Sequence, residues 1–332
     1  MVNELDLKDY SMVLKIKNFL NKINNSDYMQ SIEWHKIRSE KVKYFLYKLD
    51  SNNEILWTCN LLEKEKNNEK ILYAPRGPVL DFTNKNNVSN FLSDIEVWAS
   101  NNNYSKLIIN PYLTKETLNN IPNNYLYKIT RKNDYSNLMD SCKLAIMEII
   151  PDEEKLISLL PSKFRQNTRR SYRKGLICRI SKKVDFDNFY KLYIETSIRH
   201  KFNAHDIDYF KNIYKEFKDK LIFLEVWYGD LPLAMSIDII YNDKLIYLYG
   251  VSSSNNRNLL GMYNLQWEAI KYCIKNSIPF YDFGGVFCEE GDLNNKDIGL
   301  YNFKKGYCYK GFIDVIPDIT FEFKRKEVKQ ND

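Results

Sequence analysis

One stretch of the chain, Lys163 to Gly175, concentrates positive charge in a way that suits binding of an anion. Its first twelve residues carry six lysines or arginines and no acid. In a helix, Arg165, Arg169 and Arg173 would follow one face, and phosphate, an RNA backbone or an acidic headgroup would relieve their mutual repulsion. The same pattern is typical of a solvated basic helix face, so on its own it leaves both interpretations open.

A second cationic position lies close to aromatic residues. Arg199 stands near the predicted end of a helix and is followed by Phe202, Tyr209 and Phe210. An arginine with aromatic neighbours suits bidentate recognition of a phosphate and stacking against a base. The alternative is a helix end at which a cation covers core aromatics, and the sequence does not separate the two.

Two adjacent lysines, Lys304 and Lys305, occur in a segment predicted to form a short helix. The helix follows a loop after Tyr281–Gly285, a predicted strand whose two terminal glycines permit close approach of a ligand to the backbone. A lysine beside such a loop can hold a phosphate or stabilise a developing oxyanion. Taken alone, a lysine at this position is more often a surface residue.

A rigid turn presents a further arginine. Arg76 lies directly after a predicted strand, between Pro75 and the dipeptide Gly77-Pro78. Two prolines and a glycine restrict the backbone and would aim the Arg76 side chain at a defined point. The turn accounts for the prolines and the glycine, and it leaves the arginine as a candidate ligand-binding residue.

Other kinds of chemistry lack the residues they need. The six cysteines show no C-x-x-C spacing and the three histidines are scattered, which disfavours zinc, a disulfide framework and a histidine-based triad. No metal and no bound cofactor are predicted. The Gly-rich pyrophosphate turn that acyl-CoA enzymes use is absent, which disfavours coenzyme A as donor. An acidic N-terminus and the lack of an apolar run of about 18 residues predict neither a signal peptide nor a membrane span, and they indicate a cytoplasmic protein.

The scaffold for these residues is predicted from a repeat. With 332 residues, 44% of them apolar, and a net charge of +6, the chain suggests two folded domains and not a strongly basic nucleic-acid binder. From Val42 and again from Leu221, two strands over a turn, a third strand, a helix and a further strand follow one another. The predicted fold is α+β, with two tandem acetyltransferase-like (GNAT-like) domains whose sheets are mixed and largely antiparallel. The predicted domains are residues 1–148 and 149–315, with 316–332 packing back on the first.

Eight short motifs, in order, resemble the FemABX family of non-ribosomal peptidyltransferases. They are Q-S-I-E-W-H-K from Gln30, Y-A-P-R-G-P-V-L-D, K-F-R-Q-N-T-R-R-S-Y-R-K-G, T-S-I-R-H-K-F with D-Y-F, Y-L-Y-G-V-S-S, L-Q-W-E-A-I, Y-D-F-G-G and G-L-Y-N-F-K-K-G. Members of this family add amino acids from aminoacyl-tRNA to the side chain of a peptidoglycan precursor, and their fold is two acetyltransferase-like units. One short predicted helix at 206–220, in place of a long inserted arm, is similar to the compact, FemX-like form.

The resemblance implies roles for individual residues. Lys36 and Arg199 would hold the diphosphate of a UDP-linked or lipid-linked precursor, and Lys304 would lie near the reacting centre and the acceptor end of the tRNA. Asn110 stands where relatives often carry aspartate; because an amide cannot act as a base, no proton abstraction is expected there. The remaining candidates are Arg76, Tyr209, Tyr247 and Tyr249, with Asn110, for the precursor, and Arg165, Arg169, Arg173 and Lys305 for RNA or phosphate.

The function implied is an aminoacyltransferase that builds the interpeptide bridge. Aminoacyl-tRNA would be the co-substrate, and UDP-MurNAc-pentapeptide or a lipid-linked precursor the acceptor. Such an enzyme must align an amine with an already activated ester and stabilise the oxyanion, without a covalent enzyme intermediate. A monomer with peripheral contact to the inner membrane face is expected. Two alternatives stay open: an acyl-CoA-dependent N-acyltransferase acting on another amine, and a non-catalytic RNA-binding protein.

Overall fold

A computed structural model describes residues 1–38, 42–66, 68–113, 115–130, 143–286 and 298–323 of the chain. The chain divides into two compact units. The first is Met1–Cys142 together with the returning segment Asp314–Asp332, and the second is Lys143–Ile313.

Strands and helices alternate along the described residues. The strands are β1 Val2–Glu4, β2 Val42–Leu49, β3 Ile55–Lys66, β4 Glu69–Ala74, β5 Lys106–Ile109, β6 Tyr127–Thr130, β7 Lys143–Glu148, β8 Ile177–Ser181, β9 Leu221–Tyr228, β10 Leu231–Tyr241, β11 Lys244–Ser252, β12 Phe280–Val286, β13 Ile313–Asp314 and β14 Asp318–Glu322. The α-helices are α1 Tyr10–Lys22, α2 Ile32–Ile37, α3 Lys85–Asn101, α4 Lys115–Leu118, α5 Glu153–Leu159, α6 Ser162–Arg173, α7 Phe186–His200, α8 Ile207–Phe217, α9 Gly261–Lys275 and α10 Ile298–Tyr307.

The first unit is built on a mixed sheet with helices on both faces. Its strand order is β1-β2-β3-β4-β5-β14-β6, and β4 and β5 run parallel. On one face Phe91 and Ile95 of the amphipathic helix α3 pack in a core that includes Leu46 of β2. On the other face Ile16 of α1 packs in a core with Phe45. Consecutive residues of β2 thus serve opposite faces, as the pleat of a strand requires.

The second unit repeats this arrangement. Its strand order is β13-β7-β12-β11-β10-β9-β8, and β11 and β12 are the parallel pair. Leu265 and Ile270 of α9 pack in a core with Leu224 of β9. From the opposite face Phe189 of α7 contacts Phe223 of the same strand, with ring centroids 6.1 Å apart. A sheet buried on both faces is what the nearly continuous apolar run along β9 predicts.

The predicted fold class is confirmed, and the repeat is visible in the sheets. The order β2-β3-β4-α3-β5 in the first unit matches β9-β10-β11-α9-β12 in the second. The predicted division between residues 148 and 149 lies one strand later than the division between the units. β7 belongs to the second unit because it pairs antiparallel with β12. The C-terminal strand β14 inserts between β5 and β6 of the first sheet, while residues 324–332 lie outside the described ranges.

Candidate functional site

The second sheet opens between its two parallel strands. Pairing of β11 with β12 covers only their first residues, where Lys244–Ile246 lies opposite Phe280–Asp282. Beyond this point β11 continues beside β10 to Ser252, while β12 continues beside β7 after a register shift between Asp282 and Gly285. The two strands therefore diverge, and the space between them is called the β11–β12 gap below.

Lys304 lies against the strand that forms one side of the β11–β12 gap. The residue belongs to α10, is 7% exposed, and donates a hydrogen bond of 2.7 Å from Nζ to the carbonyl oxygen of Gly285. The neighbouring Gly284 has a φ of +80°, and a Cβ there would lie 3.9 Å from Nζ. A buried ammonium held by a backbone carbonyl keeps its charge in one place, which is what stabilisation of an oxyanion requires. Lys305, the next residue, is exposed.

Two titratable groups, Cys308 and Asp282, interact electrostatically at this ammonium. Burial raises the pKa of the Cys308 thiol to about 12; the Asp282 carboxylate adds to the rise, and Lys304 opposes it. Burial likewise raises the pKa values of the other described cysteines, which are Cys59, Cys178 and Cys273. No cysteine in the described part of the chain is therefore a thiolate nucleophile at neutral pH.

A glycine fixes the helix that carries Lys304. Gly306 packs directly beneath the ring of Phe164 from α6, and a Cβ at this position would overlap the ring. Phe164 also contacts Phe303 and Tyr307, with ring centroids 6.2 and 5.2 Å away. The F-K-K-G motif thus supplies both Lys304 and a glycine, Gly306, whose lack of a side chain lets the helix pack against Phe164.

Tyr247 lines the β11 side of the β11–β12 gap. Its hydroxyl lies over Gly250, where a Cβ would overlap it. The strand bulges here, because Tyr247 and Tyr249 oppose the consecutive residues Asp238 and Ile237 of β10. Across the gap, the centroid of the Tyr247 ring is 6.5 Å from that of Phe283. Aromatic side chains from both strands therefore fill part of the gap.

Every N–H donor of Arg199 is engaged, three by Ser252 and Ser254 at the end of β11 and two by residues of its own helix α7. Its Nη1 and Nη2 atoms donate to the carbonyl oxygen and the hydroxyl of Ser252, and to the hydroxyls of Ser254 and Thr196, at 2.7–3.3 Å. Its Nε donates to His200, so all five N–H groups are used within this unit. Burial lowers the pKa of Arg199, the nearby Arg257 lowers it further, and Glu195 opposes the change. In this conformation Arg199 contributes charge and orders the Y-G-V-S-S segment.

Two of the predicted tyrosines meet beside this segment. The hydroxyls of Tyr209 on α8 and Tyr249 on β11 are 2.9 Å apart. His205 stacks on the Tyr209 ring with centroids 4.1 Å apart. Arg199 and its partners on α7 and at the end of β11 are called the Arg199 clamp below. Tyr209 of α8 and Tyr249 of β11 lie beside this clamp.

The basic helix α6 divides its arginines between two tasks. Phe164, Thr168 and Ser171 are buried, as the amphipathic pattern requires. Arg165 turns back and donates to the carbonyl oxygen of Leu160 at 2.6 Å, and therefore caps the preceding helix α5. The prediction of three equivalent phosphate-binding arginines at 165, 169 and 173 is corrected at its first position, because the Arg165 guanidinium completes a helix terminus. Arg169 and Arg173 are exposed.

In the first unit, the Q-S-I-E-W-H-K motif builds a support for Lys36. Ser31 caps α2 by accepting a hydrogen bond of 3.0 Å from the backbone of Trp34. The buried amide of Gln30 bonds to Asn60 and to the carbonyl oxygen of Pro75, which ties α2 to β3 and to the P-R-G-P turn. Lys36 lies exposed in the last turn of this anchored helix.

Arg76 and Asn110 are brought together, but deep inside the first unit. Both are 1% exposed. The Asn110 side chain accepts from the backbone N–H of Arg76 and donates to Asp318 of β14 at 2.9 Å. The Arg76 guanidinium lies 4.6 Å from the centre of the Tyr112 ring. Contact of these two side chains with the precursor was expected from the sequence; their burial instead gives them the role of holding the turn after β4 beside the end of β5.

Some polar residues of the second unit were not predicted from the sequence. Ser252 lies within the Y-L-Y-G-V-S-S motif and Ser254 directly follows it, yet the sequence gives no sign that either binds Arg199. Asp238 and Gln266 are 0% exposed and lie on β10 and α9. Buried polar residues of this kind carry no local signal, because their partners come from distant parts of the chain.

The part of the chain that the structure describes lacks two features, a cluster of metal-binding side chains and a helix able to span a membrane. It contains no group of three or more His, Cys, Asp or Glu side chains arranged to hold a metal ion. None of its helices combines the length and the apolar character that crossing a bilayer requires.

Comparison with known proteins adds a relative and two solved structures. The chain is 25% identical to the UDP-N-acetylmuramoylpentapeptide-lysine N(6)-alanyltransferase of Weissella viridescens, over 95% of this chain and 96% of that protein. The crystal structure of FemX superimposes with a TM-score of 0.81 and 18% identity, covering 97% of each chain. A tandem GNAT protein from the clavulanic acid biosynthesis pathway superimposes with a TM-score of 0.51 and 7% identity, over 98% of this chain and 99% of that one. These two likenesses confirm the predicted fold of two acetyltransferase-like units.

A family profile shows which family the chain belongs to. The profile of the FemAB family matches residues 13–134, 134–226 and 227–315. These segments contain both sheets' repeated strands, the anchored helix α2, the Arg199 clamp and the buried Lys304. The chain is a member of the FemAB family.

Proposed function

We propose that this protein moves an amino acid from aminoacyl-tRNA to the side-chain amine of a peptidoglycan precursor stem peptide, and so builds the interpeptide bridge. As a FemAB family member it is an aminoacyltransferase. The alanyltransferase that it resembles along nearly its whole length is named for the lysine N6 of UDP-N-acetylmuramoylpentapeptide. The observation that carries the proposal is the buried Lys304 ammonium beside the β11–β12 gap, in a chain of this family.

The proposed reaction needs little covalent chemistry from the enzyme. The neutral acceptor amine attacks the ester carbonyl carbon of the aminoacyl-tRNA, and a tetrahedral oxyanion forms. Collapse breaks the ester bond, the ribose oxygen leaves with a proton from the attacking nitrogen, and an amide remains. Lys304 stabilises the oxyanion, while alignment of amine and ester supplies several kcal/mol of the barrier reduction.

The proposal includes the two substrates, the oligomeric state and the location of the protein in the cell. Aminoacyl-tRNA serves as co-substrate and no bound cofactor is used. The acceptor is the UDP-linked pentapeptide or its lipid-linked form, and the second of these would bring the enzyme to the inner face of the membrane. The protein acts as a monomer in the cytoplasm, where charged tRNA is found.

Incubation with donors and acceptors tests the proposal. The protein is mixed with a panel of labelled aminoacyl-tRNAs and lysine-containing UDP-MurNAc-pentapeptide, beside parallel reactions with acyl-CoA. Label in the pentapeptide supports the proposal, provided that acetylation of the lysine amine abolishes it. Transfer from acyl-CoA alone would instead support the N-acyltransferase, and tRNA binding without transfer would support an RNA-binding protein.

The cations predicted to hold the precursor should act mainly on its binding. Lys36→Ala is expected to raise the KM for the precursor about 10- to 100-fold, because hydrogen bonds to charged groups contribute about 1.5–3 kcal/mol. Arg199→Ala should also raise this KM, through loss of positive charge and of order in the Y-G-V-S-S segment, because the N–H groups of Arg199 are engaged within its own unit. The value of kcat should change much less, since neither group touches the reacting atoms. Steady-state kinetics with varied precursor and saturating aminoacyl-tRNA measure both constants.

A precursor analogue without the diphosphate distinguishes loss of a phosphate contact from a general disturbance of the binding site. With MurNAc-pentapeptide lacking the UDP group, wild type and variants should show equal KM. Lys191→Ala, which removes an exposed lysine from the same helix as Arg199, is the matched control and should leave KM unchanged. Equal effects of Lys36→Ala and Arg199→Ala on both acceptors would show that these residues do not contact the diphosphate.

The exposed face of α6 is proposed to contact the tRNA backbone. Reversing two charges there, with Arg169→Glu and Arg173→Glu, should weaken tRNA binding and lower the slope of log Kd against log salt by about 2. Filter binding across a salt series measures the slope. Lys8→Glu with Lys22→Glu, an equal change of charge on exposed residues of the first unit, is the control. An identical slope for the two double variants would exclude α6 as an RNA contact.

A further inference from the structure

A carboxyl group lies buried in the second sheet, apart from every role assigned so far. Asp238 is on β10, opposite Tyr247 of β11, at the bulge. It is 0% exposed, and in the described part of the chain no lysine, arginine or histidine shifts its pKa. A charged carboxylate in such surroundings is costly, so its protonation state needs an explanation.

The donors and acceptors around Tyr281 indicate that Asp238 is a neutral acid. The Tyr281 hydroxyl lies 2.7 Å from Oε1 of Gln266 and 3.3 Å from Oδ2 of Asp238. A phenol has one proton, and the amide oxygen at the shorter distance can only accept, so it takes that proton. The longer contact is then satisfied when the Asp238 carboxyl donates to the Tyr281 oxygen.

The surroundings of Asp238 agree with this assignment. Burial raises the pKa of Asp238 to about 8, and the nearby hydroxyls of Ser236 and Tyr281 oppose the rise. The titratable groups that face it are Tyr247 from β11, Tyr281 from β12 and Cys273 from α9. Burial raises the pKa of each of these three, so all are neutral near pH 7.

The acid is connected to a side chain of the candidate site. Gln266 on α9 accepts from Tyr281, while its buried Nε2 makes no hydrogen bond to any described residue; the same amide partly offsets the rise in the pKa of Tyr247 that burial causes. Tyr247 in turn lies over Gly250 beside the β11–β12 gap. Hydrogen bonds thus join Asp238, Tyr281 and Gln266, and Tyr247 lies opposite Asp238 on the neighbouring strand.

We propose that Asp238 is a positioning residue which, as a neutral acid, holds Tyr281 and Gln266 in the orientation that keeps Tyr247 at the β11–β12 gap. The inference rests on the proposed function, because it gives Tyr247 a part in binding the precursor. An ionised Asp238 has no proton to donate and competes for that of Tyr281. Gln266 then loses its donor, and the Tyr247 hydroxyl loses its support.

Protonation of Asp238 makes the stability of the folded protein depend on pH. The carboxyl keeps its proton in the folded protein up to about pH 8, whereas in the unfolded chain it loses the proton near its ordinary value of 3.8. The unfolded state therefore binds fewer protons between these values, and this group makes the protein less stable as pH rises through that window. Above about pH 8 both states are ionised and the effect is constant. Tm should rise in Asp238→Asn relative to wild type, with a difference that grows from about pH 4 to about pH 8.

One measurement tests the connection without any assay of activity. In protein labelled with carbon-13 on tyrosine rings, the Tyr247 resonance is identified by its loss in Tyr247→Phe. It should shift with a midpoint near pH 8 in wild type and stay constant in Asp238→Asn. A constant resonance in wild type, or the same titration in Asp238→Asn, would overturn the proposal.

Kinetics test the consequence for transfer. The ratio of kcat/KM of wild type to that of Asp238→Asn should be near one at about pH 6 and fall several-fold by about pH 9, since effects of pH on amine and ester cancel in the ratio. Gly250→Ala, which displaces Tyr247 directly, should lower kcat/KM several-fold at every pH. Ile239→Val, a core change on the same strand, is the control and should shift Tm alone. A ratio independent of pH would overturn the proposal, whereas wild type that transfers nothing would contradict the proposed function and leave the tyrosine titration to decide on Asp238.

Discussion

Replacing Lys304 with alanine is expected to lower kcat for aminoacyl transfer by about 10²- to 10³-fold, the usual loss when one donor to an oxyanion is removed. The KM for the precursor should change only a few-fold, because the ammonium is held against β12 and acts on charge that develops in the transition state. Single-turnover transfer with saturating precursor measures the chemical step directly. The size of the effect rests on burial, since a cation at 7% exposure is screened by little water.

The neighbouring residue provides a matched control. Lys305 belongs to the same helix and the same motif, yet it is exposed. Lys305→Ala should keep kcat within a few-fold of wild type while lowering affinity for tRNA. Circular dichroism must show that Lys304→Ala folds, because removal of Nζ leaves the carbonyl oxygen of Gly285 without this donor. A folded Lys304→Ala variant with near-normal kcat would show that the reacting centre lies elsewhere.

A methyl group at Gly306 is expected to have the largest effect on stability. Its Cβ would overlap the Phe164 ring, which cannot move aside easily because Phe303 and Tyr307 pack against it. Overpacking of this kind costs about 1–3 kcal/mol. Because α10 must shift to relieve the overlap, Lys304 should move with it, and Gly306→Ala should also lose most transfer activity. Urea denaturation and the transfer assay measure the two effects.

The same helix contains a glycine with the opposite expectation. A Cβ at Gly299 meets nothing within 4 Å. Gly299→Ala should therefore stabilise the unit slightly, by about 0.5–1 kcal/mol, through the better helix propensity of alanine. Activity should remain normal. If Gly299→Ala and Gly306→Ala behaved alike, the contact between Gly306 and Phe164 would not be what seats α10.

The sequence predicted the scaffold well because the signals for it are local. A nearly continuous apolar run marks β9, a helical period marks α9, and turn residues separate the strands. The duplication was visible for the same reason, since each copy repeats these signals in order. The domain boundary was placed one strand too late, because pairing of β7 with β12 joins residues far apart in the chain.

Burial was the quantity that sequence reasoning handled least well. Arg76, Asn110 and Arg165 were grouped with exposed cations and cleft residues, yet the first two are almost fully buried and the third caps a helix. Arg199 was expected to offer its fork to a phosphate, whereas all five of its N–H groups are engaged by its own unit. A charged residue in a motif shows that charge is needed there, and its partners decide how the charge is used.

By itself, the amino-acid order determined the two-unit α+β scaffold, the family resemblance and the identity of the candidate lysine, because turns, periodicity and short motifs are properties of neighbouring residues. Only the tertiary structure decided which polar groups are buried and which partners they have. It placed the Lys304 ammonium on a backbone carbonyl, enclosed Asp238 between a sheet and a helix, and inserted the C-terminal strand into the first sheet. Those outcomes depend on contacts between distant segments, and the free energy of a buried charge is set by these contacts and not by its position in the sequence.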